Sequence, residues 1–406
     1  MDVILALFGG RIVSKGRKTG FSTRAVRAGE RTDPATGSVV TPIYETSVFA
    51  FTSTQQLIDA VVEKNSRDVY TRWSNPTITA AETKIAELEG AEDCAVFSSG
   101  MAAISTAIIN LVSPGDHIVS VRDLYGGTVG LFSDLMTRFG VRTTFVESTN
   151  ISEIESAVKS DTKILFLETP TNPTLKLVDL AKTAQIAGEK GAKVLVDNTL
   201  ASPYNQQPLQ FGCSATIHSA TKYLAGHNDV TAGAIAGPKE LIEPMKKLRR
   251  TLGGVLDPHA AWLLLRGMKT LAVRMEKQNA NGQEVAEYLE NHPSVERVYY
   301  PGLRTHPQHS LAKRQMKGFG GVLSFELKGD INRTIRFVDS LKLALLGASL
   351  GGTETLVSQP STVSHHFMDP AERRKAGIGD SLVRLSLGIE DAADIIADLA
   401  QAFERA

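Results

Sequence analysis

From about residue 80 to about residue 240, short apolar runs alternate with amphipathic stretches. The runs are AVFSS, HIVSV, TTFVE, ILFLE, VLVDN, ATIHS and GAIAG, and between them lie patterns such as TAAETKIAELEG, TVGLFSDLMTRFG and LVDLAKTAQIAGEKG. A strand that is apolar at nearly every position must be covered on both faces. Such strands alternating with helices predict an α/β domain with a mostly parallel sheet. In sheets of this kind, ligands sit beyond the carboxyl ends of the strands.

The flanking regions read differently. Residues 1–68 are punctuated by Pro, Gly and Thr, as in DPATG and TPIYETS, and predict an extended N-terminal arm with few regular elements. From Pro258 a long helical pattern begins, PHAAWLLLRGMKTLAVRMEKQNANGQEVAEYLENH. The segments GGVLSFELKG, INRTIRFVDSL, SLVRLSLGIE and DAADIIADLAQAFERA follow it and suggest a smaller α+β domain. The expected division is therefore an arm over 1–68, a ligand-binding domain over 69–258 and a C-terminal domain over 259–406.

Lysine plus arginine equals aspartate plus glutamate at 44 each, so there is no basic field to hold nucleic acid or an anionic membrane. The apolar run Val3–Phe8 is too short for a signal-peptide core, and Asp2 stands where a positive charge would be needed. No stretch has the length of a membrane span. Cys94 and Cys213 are the only cysteines, and no metal-ligand spacing occurs. A cytoplasmic chain without a metal is the expectation.

The chemistry concentrates in SATKYLAGHND, where Lys222 follows a short apolar strand among small hydroxyl residues. A lysine in that position is ordinarily a solvated surface residue. Burial and nearby positive charge would make it a nucleophile for Schiff-base chemistry, with the hydroxyls of Ser219 and Thr221 as donors to a phosphate. Asp197 ends the apolar run of VLVDNTLASP, 25 positions earlier. It either caps a turn or holds a pyridinium nitrogen protonated. In VFSSGMAA a strand turns into a helix at Gly100 and Met101, whose N–H groups could receive a phosphate. Tyr125 in LYGGT could stack on a planar ring or donate a proton, Asn172 lies in ETPTNP, and VYTRWSNP supplies Tyr70 and Arg72. Arg384 sits inside the apolar run of LVRLSLGIE, as a paired structural residue or as a clamp on a substrate carboxylate.

Taken together, SATKY-x-x-GH, SSGMAA, YGGT, ETPTNP, VDNT and SLGG-x-E-T-L closely resemble the Cys/Met-metabolism enzymes that use pyridoxal 5′-phosphate. That group includes cystathionine γ-lyase, cystathionine γ-synthase, methionine γ-lyase, cystathionine β-lyase and the O-acylhomoserine sulfhydrylases. The resemblance runs from about Phe21 to the C-terminus. It implies the aspartate-aminotransferase-like fold, fold type I, and a homotetramer built as a dimer of dimers. It implies that Lys222 carries the cofactor, that Asp197 partners its ring nitrogen, and that Tyr125 stacks on it. Gly100, Met101, Ser219 and Thr221 resemble the phosphate ligands of the same chain, and Tyr70 and Arg72 those given by a neighbouring subunit. Asn172, Ser349 and Arg384 resemble the groups that hold the substrate carboxylate or the cofactor's ring oxygen.

These motifs do not decide between release of a 2-oxo acid with ammonia and replacement by a thiol. Departures from the family pattern are more informative. Ala348 stands before Ser349 where cystathionine enzymes often carry a glutamate. Gly127 stands where many methionine γ-lyases have a reactive cysteine, and RRTLGG lacks their Lys-Asp pair. The expectation is a carbon–sulfur γ-lyase for methionine or cystathionine, with a γ-synthase or sulfhydrylase as the alternative. A catalytically dead binding protein of this fold is disfavoured by the intact Lys222, Asp197 and Arg384. A P-loop or dinucleotide protein is disfavoured because neither GxxxxGK[ST] nor a correctly placed GxGxxG is present.

Overall fold

The computed structural model describes residues 19–62, 67–363, 373 and 377–406. The apolar run Val3–Phe8 lies outside the described residues. Each of the seven apolar runs contributes to a strand: β1 (Asp93–Phe97), β2 (His117–Val121), β3 (Arg142–Val146), β4 (Thr162–Glu168), β5 (Lys193–Asp197), β6 (Ala215–Ser219) and β7 (Gly233–Gly237). They form one sheet in the order β1-β7-β6-β5-β4-β2-β3. β7 runs antiparallel to both its neighbours, and the other pairs are parallel.

This topology gathers one edge of the sheet into a site. Phe97 at the end of β1 and Ser219 at the end of β6 both pair with Gly233 at the start of β7. Asp197 ends β5 and pairs with Glu168, which ends β4. The interior of β4, Ile164 to Leu167, has no exposed surface, because helices cover both faces of the sheet. The helix Gly100–Leu111 starts directly after β1, with Ser99 as its N-cap accepting from the Ala102 N–H. It packs into the same apolar cluster as Phe97, Ile118, Phe166 and Ile217.

A second sheet uses β8 (Val295–Tyr299), β9 (Val322–Leu327), β10 (Leu345–Leu346), β11 (Leu356–Ser358) and β12 (Leu382–Ser386), in the order β10-β11-β12-β9-β8. The apolar run around Arg384 is thus β12, an interior strand of this sheet. The helical pattern from Pro258 is two helices, Pro258–Met268 and Leu271–Glu290. The break is local chemistry. The Gly267 carbonyl accepts from Arg274 Nη2 at 2.8 Å and from Thr270 Oγ1 at 3.1 Å. Arg274 also reaches the Tyr223 carbonyl at 2.8 Å, so the second helix is tied to the segment just after Lys222.

Among the described residues of 1–68, two short helices, Phe21–Arg27 and Thr54–Val61, interrupt otherwise irregular backbone. The first is held by buried Lys84, whose ammonium donates to the Ala25 carbonyl and to Glu30. Among the described residues no helix is long and apolar enough to cross a membrane.

Candidate active site

Lys222 lies in the turn after β6, at the edge where the strand ends converge. Its Nζ donates to Ser349 Oγ at 2.8 Å. Burial, with the Arg384 guanidinium as a second cause, pushes the amine down from its ordinary value near 10.5 to about 8. A depressed lysine of this kind is a usable nucleophile near neutral pH.

Arg384 is only 5% exposed. Its Nη1 donates to Asn172 Oδ1 at 3.1 Å and its Nη2 to the Ser349 carbonyl at 3.0 Å, while Nε has no partner among the described residues. Among the described residues no carboxylate lies within ion-pair distance of it. A buried cation with neutral partners only is poised for an anionic ligand. Burial accordingly lowers its pKa to about 10. Asn172 is delivered by the loop 169–176. That loop is closed by Thr171 N–H to the Lys176 carbonyl and braced by Ser324 Oγ, which donates to the Pro173 carbonyl at 2.7 Å.

The strand ends supply the rest. Asp197 Oδ1 accepts from the Thr199 N–H at 3.0 Å, and Thr199 Oγ1 accepts from the Ser219 N–H at 2.8 Å. Gly100 approaches so closely that a Cβ there would stand 3.0 Å from the Ser219 Cα and Cβ. Only glycine brings the start of the helix this near to β6, and the first N–H groups of a helix have no acceptor within it. Gly100, Met101 and Ser219 therefore form one cradle. Thr221 Oγ1 is engaged with the backbone of Ala232, donating at 3.2 Å and accepting at 2.9 Å. Tyr125 is 53% exposed and stands over Gly127, where a Cβ would meet its ring carbon at 2.7 Å and the Met101 sulfur at 3.2 Å.

Tyr70 and Arg72 are not brought to this cradle by their own chain. Tyr70 is 39% exposed, and Arg72 donates to the Arg250 carbonyl while lying 5.4 Å from the Tyr70 ring centre. The cleft at Ser349 measures about 520 Å³ and is lined by Thr221, Asn228, Asp229, Val230, Thr231, Gly347, Ala348, Ser349 and Leu356. A second cavity of about 580 Å³, around Lys176, Arg297 and His306, includes none of the predicted site residues.

One residue of the site carries no role in the sequence reading. Glu168 is buried, and its Oε2 accepts from the Tyr125 N–H at 2.9 Å. Burial, with Asp197 beside it, holds its carboxyl well above the usual range. The available signal is its position, an acid at the end of the fully apolar ILFLE.

A pyridoxal phosphate fits these residues. A lowered lysine, a glycine-lined cradle at a helix start, a strand-end carboxylate and an unpaired buried arginine supply the donor set it needs. The family model described as "Cys/Met metabolism PLP-dependent enzyme" matches residues 22–404. The chain is 45% identical to an L-methionine gamma-lyase of Fusobacterium nucleatum subsp. polymorphum, over 96% of this chain and 99% of that protein. It is 43% identical to a cystathionine gamma-lyase of Bacillus subtilis, over 94% of this chain and 98% of that one. The crystal structure of metB from Corynebacterium glutamicum superposes with a TM-score of 0.90 at 40% identity, covering 95% of this chain and 98% of that chain.

Proposed function

Because the chain belongs to the Cys/Met-metabolism family of pyridoxal-phosphate-dependent enzymes, we propose that it is a carbon–sulfur γ-lyase for methionine or cystathionine. It would cleave the Cγ–S bond and, taking up one water, give a thiol, a 2-oxo acid and ammonia. The observation that carries this reading is the buried, acid-free Arg384 beside Ser349, whose hydroxyl meets the Lys222 amine. It sets a carboxylate-binding group next to the base that must take the Cα proton.

When bound, the cofactor supplies an electron sink conjugated to the Cα of the amino acid. Lys222 would hold it covalently, and its amine would serve as the base at Cα and as the proton carrier for the next position. Asp197 would keep the ring nitrogen protonated. Tyr125 would stack on the ring, with its phenol as a proton donor. Gly100, Met101, Ser219 and Thr221 would hold the phosphate. Arg384, Asn172 and Ser349 would orient the α-carboxylate, so that the bond to be broken faces Lys222.

The cleft beyond Ser349 is lined by the apolar Val230, Gly347, Ala348 and Leu356 and by the polar Thr221, Asn228, Asp229 and Thr231, and the small Ala348 beside Ser349 supports a thioether there. Among the described residues its one lining carboxylate is Asp229, which keeps cystathionine, with its distal ammonium, within the reading. The exposed Tyr70, with Arg72 next to it, supports a site shared with a neighbouring subunit, and a homotetramer built as a dimer of dimers belongs to the same reading. In that assembly the pair reaches the phosphate of a neighbouring subunit. The arm, cofactor and C-terminal division at about residues 68 and 258, and a cytoplasmic location, belong to the same reading. Assay of the pure protein with methionine, cystathionine, cysteine and O-acylhomoserine, each with and without thiol, tests it. Formation of 2-oxo acid and ammonia from methionine or cystathionine without thiol is expected. Turnover only of O-acylhomoserine, and only with thiol present, would make it a γ-replacement enzyme instead.

A further inference from the structure

Two carboxyl groups share the floor of the site. Glu168 and Asp197 are register partners on adjacent parallel strands, so their side chains leave the same face of the sheet. Both are buried, at 3% and 7% exposure. Among the described residues neither has a lysine or arginine partner, whereas nearby Asp123 and Glu147 are both paired with Lys176. Two like charges in such a place do not both ionise, and one of the pair must hold a proton.

The surroundings decide which. Asp197 accepts from the backbone N–H of Thr199, and the Thr199 side chain and His218 beside it favour its ionised form. Glu168 is burdened by burial and by the negative neighbours Asp197 and Asp123, and, on the proposed reading of the site, Asp197 and not Glu168 would face the cofactor's ring nitrogen. Its hydrogen bonds come from the backbone N–H groups of Tyr125 and Asn172. A neutral carboxyl still accepts through its carbonyl oxygen, as a glutamine amide would.

We propose that Glu168 is a positioning residue that acts as a neutral carboxylic acid, holding Tyr125 and Asn172 by their backbone N–H groups while leaving the negative charge of the pair on Asp197. One side chain thus fixes the backbone under the stacking ring relative to the backbone that presents the Arg384 partner. This rests on the reading of the site as a pyridoxal-phosphate site.

The test compares wild type, Glu168→Gln and Glu168→Ala, each freed of cofactor and titrated with pyridoxal phosphate. The readouts are the cofactor Kd, the pH midpoint of the bound cofactor's visible absorbance, and the KM for the amino acid. Glutamine keeps the shape and the neutral charge, so it is expected to stay within about two-fold of wild type in Kd, with the same pH midpoint. Alanine removes both acceptors and is expected to raise Kd and KM roughly tenfold. A Glu168→Gln variant that shifts the pH midpoint, or binds cofactor as poorly as the alanine variant, would show that Glu168 acts as an anion and overturn the proposal. An alanine variant equal to wild type would overturn the positioning role. Wild-type protein that develops no visible absorbance would instead refute the underlying reading of the site.

Discussion

Replacing Arg384 by alanine separates substrate binding from cofactor binding. The guanidinium is buried, donates to Asn172 Oδ1 and the Ser349 carbonyl, and has no acid partner among the described residues. A carboxylate entering the cleft would take up the unused donors in a charge-assisted pair. Hydrogen bonds to charged groups contribute about 1.5–3 kcal/mol net. At about 1.4 kcal/mol per factor of ten, Arg384→Ala should raise the apparent KM roughly 10- to 150-fold. The two acceptors it now serves would lose a donor, so the melting temperature should fall by a few degrees, as a loss of about 1–2 kcal/mol implies. Cofactor affinity should hold, because the phosphate and ring contacts come from other residues. Arg384→Lys should recover only part of the loss, since an ammonium does not reproduce the two-pronged fork. Steady-state kinetics, cofactor titration and a thermal melt suffice. An unchanged KM with loss of cofactor would refute the reasoning and place Arg384 in the phosphate site.

Two further outcomes follow from the same geometry. Lys222 is pushed down to about 8, and only the free amine reacts with an aldehyde, so cofactor uptake by the apoprotein should accelerate as pH rises towards 8 and level off above it. Arg384→Ala should move that midpoint upward, because it removes a positive neighbour. Stopped-flow absorbance at a series of pH values checks both, and a midpoint near 10.5 in wild type would show the amine to be unperturbed. Lys222→Ala and Arg72→Ala should each be nearly inactive, yet recover activity when unfolded and reassembled together, up to one good site per mixed dimer. Absence of recovery in verified mixed dimers would place Arg72 outside the partner's site.

Much of this architecture is readable before any coordinates. The seven apolar runs become seven strands because a sheet covered on both faces keeps its interior strands largely apolar, while β3 at the edge leaves Arg142 and Thr144 exposed. Strand direction is less legible. GAIAG reads like its neighbours, yet β7 is antiparallel, and that reversal is what brings Gly233 beside Ser219 and Phe97. The split of the long helix was hidden because LLLRGMKTLAVRM keeps its apolar period across the break. Only the capture of the Gly267 carbonyl by Thr270 and Arg274 ends the first helix. Lys222, Ser349, Arg384 and Asn172 are joined by direct contacts, although they come from segments up to 212 residues apart. Periodicity alone does not join such distant segments, and the motif resemblance did. Glu168 escaped because its partners are backbone N–H groups, which leave no mark on the residue types around it.

The central claim is that Lys222 holds the cofactor. Borohydride reduction of the pyridoxal-phosphate-loaded protein fixes the attached group to its lysine, and peptide mapping by mass spectrometry locates it. The account predicts loss of the visible colour and a pyridoxyl mass on the peptide containing Lys222 alone. A label on another lysine, or coloured protein that yields no labelled lysine, would contradict it.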